Sequence, residues 1–179
     1  MTTDQPDQLS LDLAIEIRHT DQEWRDWAEP KRRADAAAAF RERIGMIELP
    51  SAPWRKNTVG RIASAIDALF PDMSAVISPE NLVLTDEFAC FLIECHERWD
   101  GGTLCNYPIQ ESGYSLFPAQ PDVNPMMSWP YTPESTSLRG EMRFMVENGG
   151  FSILAALFRS NSRCWRSWCL EHKVDASIV

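Results

Sequence analysis

Two pairs of cysteines are the residues in this sequence whose type and spacing could bind a metal. Cys90 and Cys95 stand just before His96, and the same spacing recurs at Cys164 and Cys169. Structural zinc sites usually bring two ligands together across a gap of roughly two to four residues. Residues five apart on a helix point about 140° apart, so the cysteines of each pair should diverge. We therefore predict free thiols, no metal site and no cofactor, with zinc binding as the alternative.

The neighbouring residues Cys95 and His96 also have the types that form a nucleophile and its base. Adjacent residues on a helix point in different directions, however, so the pair is not expected to meet. Glu94, Glu97 and Asp100 could approach one another at helical spacing, but solvated helix faces carry the same pattern. The chain has no phosphate-binding glycine loop and no GxSxG, HExxH or CxxC motif. We predict no catalytic residue and a non-enzymatic protein, with a small hydrolase as the alternative.

The N-terminal third is predicted to form a strand followed by a bent helix. Residues 9–17 alternate between apolar and polar without a break, which is typical of a half-buried strand. Thr20 and Glu23 form a capping-box signature, and Trp24 and Trp27 then fall on one helical face. An alanine-rich stretch with high helix propensity follows Pro30 and should end near residue 45.

The middle of the chain is predicted to contain two amphipathic helices and a β-hairpin. Residues 59–69 carry apolar side chains on one helical side, and a second helix should begin near Thr85. The second helix should close at Asp100-Gly101-Gly102, because glycine permits the positive φ of a sharp reversal. Residues 103–107 and 114–117 are then expected to pair as two short strands.

The C-terminal part is predicted to contain a loop, a strand and two helices. Residues 118–133 are rich in proline and show neither a helical nor a strand period, so they should form a long ordered loop. Residues 138–146 alternate weakly, which favours a strand. An apolar helix is expected over residues 151–159, and Asn161 or Ser162 should cap a last helix.

These elements predict an α+β fold, with a small antiparallel sheet and helices packed on it. The length fits a single domain over residues 1–179. Within it, residues 1–60 form an N-terminal strand–helix extension, and residues 61–179 form the core. The extension should add its strand to the sheet, since residues 9–17 have one apolar face to bury.

The charge of the chain argues against direct binding to DNA. The formal net charge is −9, and an acidic surface repels phosphates. Two short basic groups, at residues 31–33 and 159–166, are interpreted as solvated helix charge. No export signal opens the chain, and the longest apolar stretch is far shorter than the roughly 18 residues of a membrane span. The sequence therefore predicts a cytoplasmic protein with no membrane contact.

Several short motifs occur in a characteristic order between residues 69 and 158. They are Leu69-Phe70-Pro71, Glu97-Arg98-Trp99-Asp100-Gly101-Gly102, Gly113-Tyr114-Ser115-Leu116-Phe117-Pro118, Arg139-Gly140-Glu141, and an apolar run from Gly150 to Phe158. In this order they resemble the ArdB/KlcA antirestriction family, whose members are encoded on mobile elements and relieve type I restriction. The resemblance does not extend to residues 1–60. It leaves their contribution open.

The resemblance implies an inhibitor of host defence that protects incoming mobile-element DNA without being an enzyme. Its partner would be a type I restriction enzyme or a regulator of that enzyme. The diglycine turn, Gly101 and Gly102, would have a structural role. Around it we predict a binding surface formed by aromatic and acidic residues, namely Trp99, Asp100, Tyr107, Tyr114, Trp129 and Tyr131. Packing in the core or in loops is the alternative for these aromatic residues.

Acidity and exposed aromatic residues would suit an immunity protein equally well. Such a protein would neutralise a toxin or another effector by covering its surface. The sequence leaves this alternative open.

Overall fold

The computed structural model describes residues 22–51, 56–107, 116–117, 120, 123–148 and 150–175, with the backbone alone at residues 56–58. The described residues form seven α-helices, one 3-10 helix and one antiparallel sheet in the order β1-β2-β3. The elements are α1 Gln22–Ala28, α2 Pro30–Arg43, α3 Lys56–Leu69, α4 Met73–Ile77, the 3-10 helix Pro79–Asn81, α5 Leu82–Trp99, β1 Thr103–Asn106, β2 Pro125–Trp129, β3 Thr132–Ser137, α6 Leu138–Asn148 and α7 Phe151–His172. The predicted α+β class is confirmed. The strand predicted over residues 9–17 lies outside the described residues.

Helix α5 is the central element of the hydrophobic core. It is buried on several sides, because α2, α4, α7 and β1 all contact it. The ring of Phe40 on α2 lies 4.8 Å from that of Phe88 and 5.1 Å from that of Phe91. The helix begins at Leu82, one turn before the predicted start. Thr85 is therefore not its cap, and its buried hydroxyl donates instead to the carbonyl of Val76 at 2.6 Å.

Arginine side chains of α2 form ion pairs with acidic residues of α5. The pairs are Arg32–Asp86, Arg33–Glu97, Arg41–Glu94 and Arg43–Glu87. The α2 helix itself begins at Pro30, and the carboxylate of Glu29 accepts hydrogen bonds from the backbone N–H groups of Lys31 and Arg32. Lys31 pairs with Asp35 on α2 itself, so all three charges of the basic group at residues 31–33 are paired within the protein.

The sheet corrects the predictions for residues 103–133. Strand β1 pairs with β2, from Thr103 opposite Ser128 to Asn106 opposite Pro125, so the predicted loop contains a strand. Buried and half-buried residues alternate along β2, but the prolines around this short pattern make it difficult to recognise in the sequence. Proline is tolerated at the start of a strand and on an edge strand, which is where β2 and β3 carry it. Of the predicted partner strand, residues 114–115 lie outside the described residues and residues 116–117 form a bend.

The strand predicted over residues 138–146 is wrong, because this segment forms helix α6. Its buried residues are Leu138, Glu141, Met142 and Met145, which are spaced as on one face of a helix. The weak alternation of the same residues fitted a strand as well. Burial of the helical face decided between the two.

Helix α7 runs without a break through the point where two helices were predicted. Asn161 and Ser162 lie inside it and do not cap a new helix. The buried face continues from Phe158 through Ser162 and Trp165 to Cys169, at spacings of three or four residues. Neither proline nor glycine interrupts this stretch, so packing of that face maintains one helix.

The turn after α5 brings the chain into close contact with α7. Gly101 has a φ of +69°, and a Cβ atom at this position would lie 2.4 Å from the indole of Trp165. A Cβ at Gly102 would lie 2.8 Å from Met127 on β2. The N–H of Gly102 donates to the carbonyl of His96 at 3.1 Å, which closes the helix. The turn thus needs glycine at residue 101 for conformation and at both positions for space.

Substitution of Gly101 by alanine is expected to lower the free energy of unfolding by about 2 kcal/mol or more, since it combines an unfavourable φ with a clash against Trp165. Gly60 provides the matched control, because it lies in α3 with open space around its Cα. There alanine should raise stability by roughly 0.5–1 kcal/mol through its helix propensity. Urea denaturation measures both changes. Equal stability of G101A and the unmodified protein would contradict the account of this turn.

Candidate functional site

The imidazole of His96 is buried between two carboxylates. It donates from Nδ1 to Asp100 Oδ2 at 2.9 Å and from Nε2 to Glu141 Oε2 at 3.0 Å. His96 and Asp100 lie one turn apart at the end of α5, whereas Glu141 comes from α6. All three side chains are almost completely removed from solvent. We call these three residues the buried triad.

Asp100 is surrounded by hydrogen-bond donors. Besides His96, its carboxylate accepts from the indole Nε1 of Trp129 at 2.8 Å and from the backbone N–H of Gly102 at 3.2 Å. The side-chain amide of Asn161 on α7 approaches it at 3.5 Å. The buried triad thus connects α5 and its diglycine turn with β2, α6 and α7.

The environment of His96 keeps its ring protonated. Burial by itself lowers the pKa of His96, but the charge of Glu141 and the hydrogen bonds to Asp100 and Glu141 outweigh this effect and raise the pKa to about 10. The protonated ring therefore offers one positive charge to two carboxyl groups.

His96 and Glu141 line the floor of a cleft of about 1030 Å³, whereas Asp100 does not line it. One wall comes from the β2–β3 hairpin, with Trp129, Tyr131 and Glu134. The others come from α6 and α7, and include the half-exposed side chains of Phe144 and Leu157. Trp168 and Glu171 of α7 lie toward the end of that helix. The cleft therefore combines apolar and aromatic walls with carboxylates.

Trp168 belongs to a stack of rings along α7. Its indole lies 5.4 Å from that of Trp165 and 4.3 Å from the ring of His172, and both pairs are close to parallel. His172 also approaches the carbonyl of Trp168 at 2.9 Å. The Trp168 ring is therefore held in one orientation at the side of the cleft.

The structure places the predicted binding residues in different environments. Trp99 is buried in the core, where its Nε1 donates to the carbonyl of Pro50 at 3.1 Å. Asp100 and Trp129 are also buried, and they support the floor of the cleft. Tyr131 is half-buried and lines the cleft, and its hydroxyl has no partner among the described residues. Burial, followed by the charge of Asp100, raises the pKa of Tyr131, so the hydroxyl stays protonated.

Tyr107 does not line the described cleft. Tyr107 is 62% exposed and follows β1. Its backbone, not its ring, is engaged, because its N–H donates to Asn124 and its carbonyl accepts from the Asn124 amide. Tyr114 lies outside the described residues.

Glu141, Asn161 and Trp168 were not predicted from the sequence to be site residues. Glu141 was noted within the Arg139-Gly140-Glu141 motif, but that segment was expected to form a strand. Helical spacing of Leu138, Glu141 and Met145 was the signal that could have placed Glu141 on the buried face. Asn161 was interpreted as a helix cap, although it approaches Asp100 from inside α7.

The groups considered for catalysis or metal binding are occupied in other ways. Cys95 is fully buried, and burial raises the pKa of its thiol well above the ordinary value. Glu94 and Glu97 pair with Arg41 and Arg33. Within the part of the chain that the structure describes, no group of three or more His, Cys, Asp or Glu side chains could hold a metal ion.

No protein-family model, curated protein or solved structure matches this chain. Its function is therefore inferred from the cleft and from the resemblance of residues 69–158. Among the described helices, none combines the length and the apolar character needed to cross a membrane.

The protonated state of His96 predicts that stability falls as pH rises from 7 to 8.5. Its pKa is about 10 in the folded protein and close to 6.5 in the unfolded chain, so its contribution is complete below pH 6.5 and is lost as pH rises through 10. In this window the folded state binds up to one extra proton, and the free energy of unfolding should fall by at most about 1.4 kcal/mol per pH unit. Urea denaturation at several pH values measures this slope.

The H96Q variant is the control for this pH dependence, because glutamine does not titrate. Its slope between pH 7 and 8.5 should be markedly smaller. Higher pH is avoided because the pKa values of the buried Cys90 and Cys95 thiols are also raised in the folded state. Above the ordinary pKa of a thiol, these two groups would therefore also make the free energy of unfolding fall as pH rises. An identical slope in both proteins would mean that His96 is not the source.

Proposed function

We propose that this protein inhibits a host defence system by direct protein contact. Type I restriction–modification is the proposed target, and the effect is to protect mobile-element DNA after it enters the cytoplasm. The observation that carries the proposal is the cleft, because it places apolar and aromatic side chains beside carboxylates on one accessible surface. The resemblance of residues 69–158 to antirestriction proteins supplies the target.

The walls of the cleft suit a protein interface. Phe144 and Leu157 are 44% and 43% exposed, which is unusual for large apolar side chains that face the same concave surface. Trp168 adds an indole whose orientation is held by its stack with Trp165 and His172. Rigid aromatic side chains lose little conformational entropy on binding, and they dominate the energy of many interfaces.

The charge of the protein favours a basic partner. The chain has a net charge of −9, and the cleft is lined by Glu134, Glu141 and Glu171 against Arg163 and the protonated His96. An enzyme that handles DNA presents basic surfaces to the phosphates. Acidic inhibitors meet such surfaces faster, because long-range attraction raises the rate of encounter. This attraction does not require the protein to imitate the shape of DNA.

The state of the buried triad supports binding in preference to catalysis. A general base must accept a proton, but both ring nitrogens of His96 already donate to carboxylates. With a pKa of about 10, the ring keeps its proton under physiological conditions. Asp100, in turn, is fully engaged by donors. The triad is therefore best understood as support for the surface above it.

The acid-aromatic-diglycine motif connects the resemblance to the cleft. In this motif Asp100 binds His96 and Trp129, while Gly101 and Gly102 allow α7 and β2 to approach. The part of the sequence that most suggests the family therefore supports His96 and Trp129, which line the cleft. This relation is the reason to test antirestriction before other kinds of host inhibition.

Expression of the protein should raise plasmid transfer into a host with an active type I system and leave transfer into a host without one unchanged. The increase in plasmid transfer should be at least about tenfold smaller with the L157D variant, since this variant places an unpaired charge in the apolar wall. L170D is the matched control on the same helix, because Leu170 is 82% exposed and does not line the cleft. It should protect as well as the unmodified protein.

Two results would contradict this proposal. One is the absence of protection against every type I system tested with folded, expressed protein. The other is equal protection by L157D and L170D, which would place the contact surface elsewhere. Rescue of cells from a toxin encoded beside this protein, without protection from restriction, would favour the immunity alternative.

A further inference from the structure

We infer that the cleft recognises the guanidinium group of an arginine side chain, and that Glu141 is the residue that binds it. This inference rests on the proposed function in one respect, namely that the arginine belongs to a protein partner. It adds the chemistry of the contact, which the proposed function leaves open.

The two carboxyl groups of the buried triad have different numbers of hydrogen-bond donors. Asp100 accepts from His96, Trp129, Gly102 and Asn161, so its two oxygens are well satisfied. Glu141 accepts from His96 alone among the described residues, through Oε2. Of the two carboxyl groups that share the positive charge of His96, Glu141 therefore has fewer donors. A cation in the cleft would find a free acceptor there.

Glu141 is nearly buried, yet it reaches the cleft. The residue is only 8% exposed, and its side chain lines the cleft. His96 binds Oε2, whereas no described residue donates to Oε1, and Oε1 is not among the fully buried atoms that lack a partner. Oε1 therefore has accepting capacity that a donor from a partner could use. The N–H groups of a guanidinium are donors that also carry a positive charge.

The surroundings of Glu141 suit a planar cation better than a compact one. Tyr131 and Trp168 line the same cleft, and guanidinium groups stack on such rings. Phe144 and Leu157 offer apolar surface to the methylene groups of an arginine side chain. Glu134 and Glu171 add negative charge, and Arg163 is the one arginine among the described lining residues.

Binding of two matched peptides to the full-length protein tests this inference directly. The first is a short capped peptide with one arginine between leucines, and the second replaces that arginine by citrulline, which has nearly the same shape without the charge. Tryptophan fluorescence can follow binding, because Trp129 and Trp168 line the cleft. The arginine peptide should bind at least about tenfold more tightly than the citrulline peptide.

Substitution of Glu141 locates the contact. In E141Q, affinity for the arginine peptide should fall about tenfold, and the difference between the two peptides should nearly disappear. E147Q is the matched control, because Glu147 lies on the same helix, is exposed and pairs with Arg143. It should bind like the unmodified protein. If E141Q does not fold, W168A tests the same contact from the side of the cleft and should weaken binding of the arginine peptide.

Equal affinity of the two peptides for the unmodified protein, or no saturable binding of the arginine peptide, would overturn the inference. So would an E141Q variant that folds and binds both peptides as the unmodified protein does. Protection from restriction without peptide discrimination would refute this inference and leave the proposed function standing. Discrimination without protection would refute the proposed function and leave the arginine site standing.

Discussion

The buried ion triad of His96, Asp100 and Glu141 is the constraint on which the arrangement of the C-terminal half depends. Removing charged groups from water is costly, and the cost is recovered only when partners are held at hydrogen-bonding distance. His96 meets this condition because α5 places Asp100 one turn away and α6 brings Glu141 to the opposite nitrogen. Displacement of either helix would leave a buried charge unpaired. The triad therefore penalises other packings of α5 against α6.

The arginine pairs between α2 and α5 are a different kind of electrostatic contact. They lie at the edge of a hydrophobic interface formed by Phe40 with Phe88 and Phe91, and several of their side chains remain partly exposed. Exposed pairs of this kind contribute little each, typically about 0–1 kcal/mol. The apolar interface holds α2 in place, and the ion pairs align it. They also pair Arg32 and Arg33 of the basic run within the protein.

Helices could be predicted from the sequence more fully than the sheet. The helical period of α5 extends over 18 residues, and the alanine-rich α2 has a clear start at Pro30. Strand β2 has only five residues, of which Pro125 is the first, and Pro130 follows it, so its alternation becomes evident only once β1 is paired with it. For α6, both periods fitted the sequence, and only contact with the rest of the core selects the helix. Short segments therefore depend on partners that their own residues do not specify.

The candidate site was harder to predict because its members come together only through the fold. Trp99 and Trp129 look alike in the sequence, yet one packs in the core while the other donates to Asp100 beside the cleft. His96 and Glu141 are separated by 45 positions. Their meeting required α6 to be a helix, since the predicted strand would have placed Glu141 among different neighbours. The error in one element therefore concealed the key residue of the site.

Glu141 both pairs with His96 and lines the cleft, and its second position gives a reason for a carboxyl group at the cleft floor. A buried ion pair can often be replaced by apolar residues without loss of stability, so stability alone is a weak reason for the triad. Replacing the whole triad by apolar residues would remove the nearly buried carboxyl group of Glu141 from the lining of the cleft. It would also remove Asp100, the acceptor of the Trp129 indole N–H. The triad therefore fits the proposed binding role, in which some folding energy is given up to present an oriented carboxyl group beside aromatic walls.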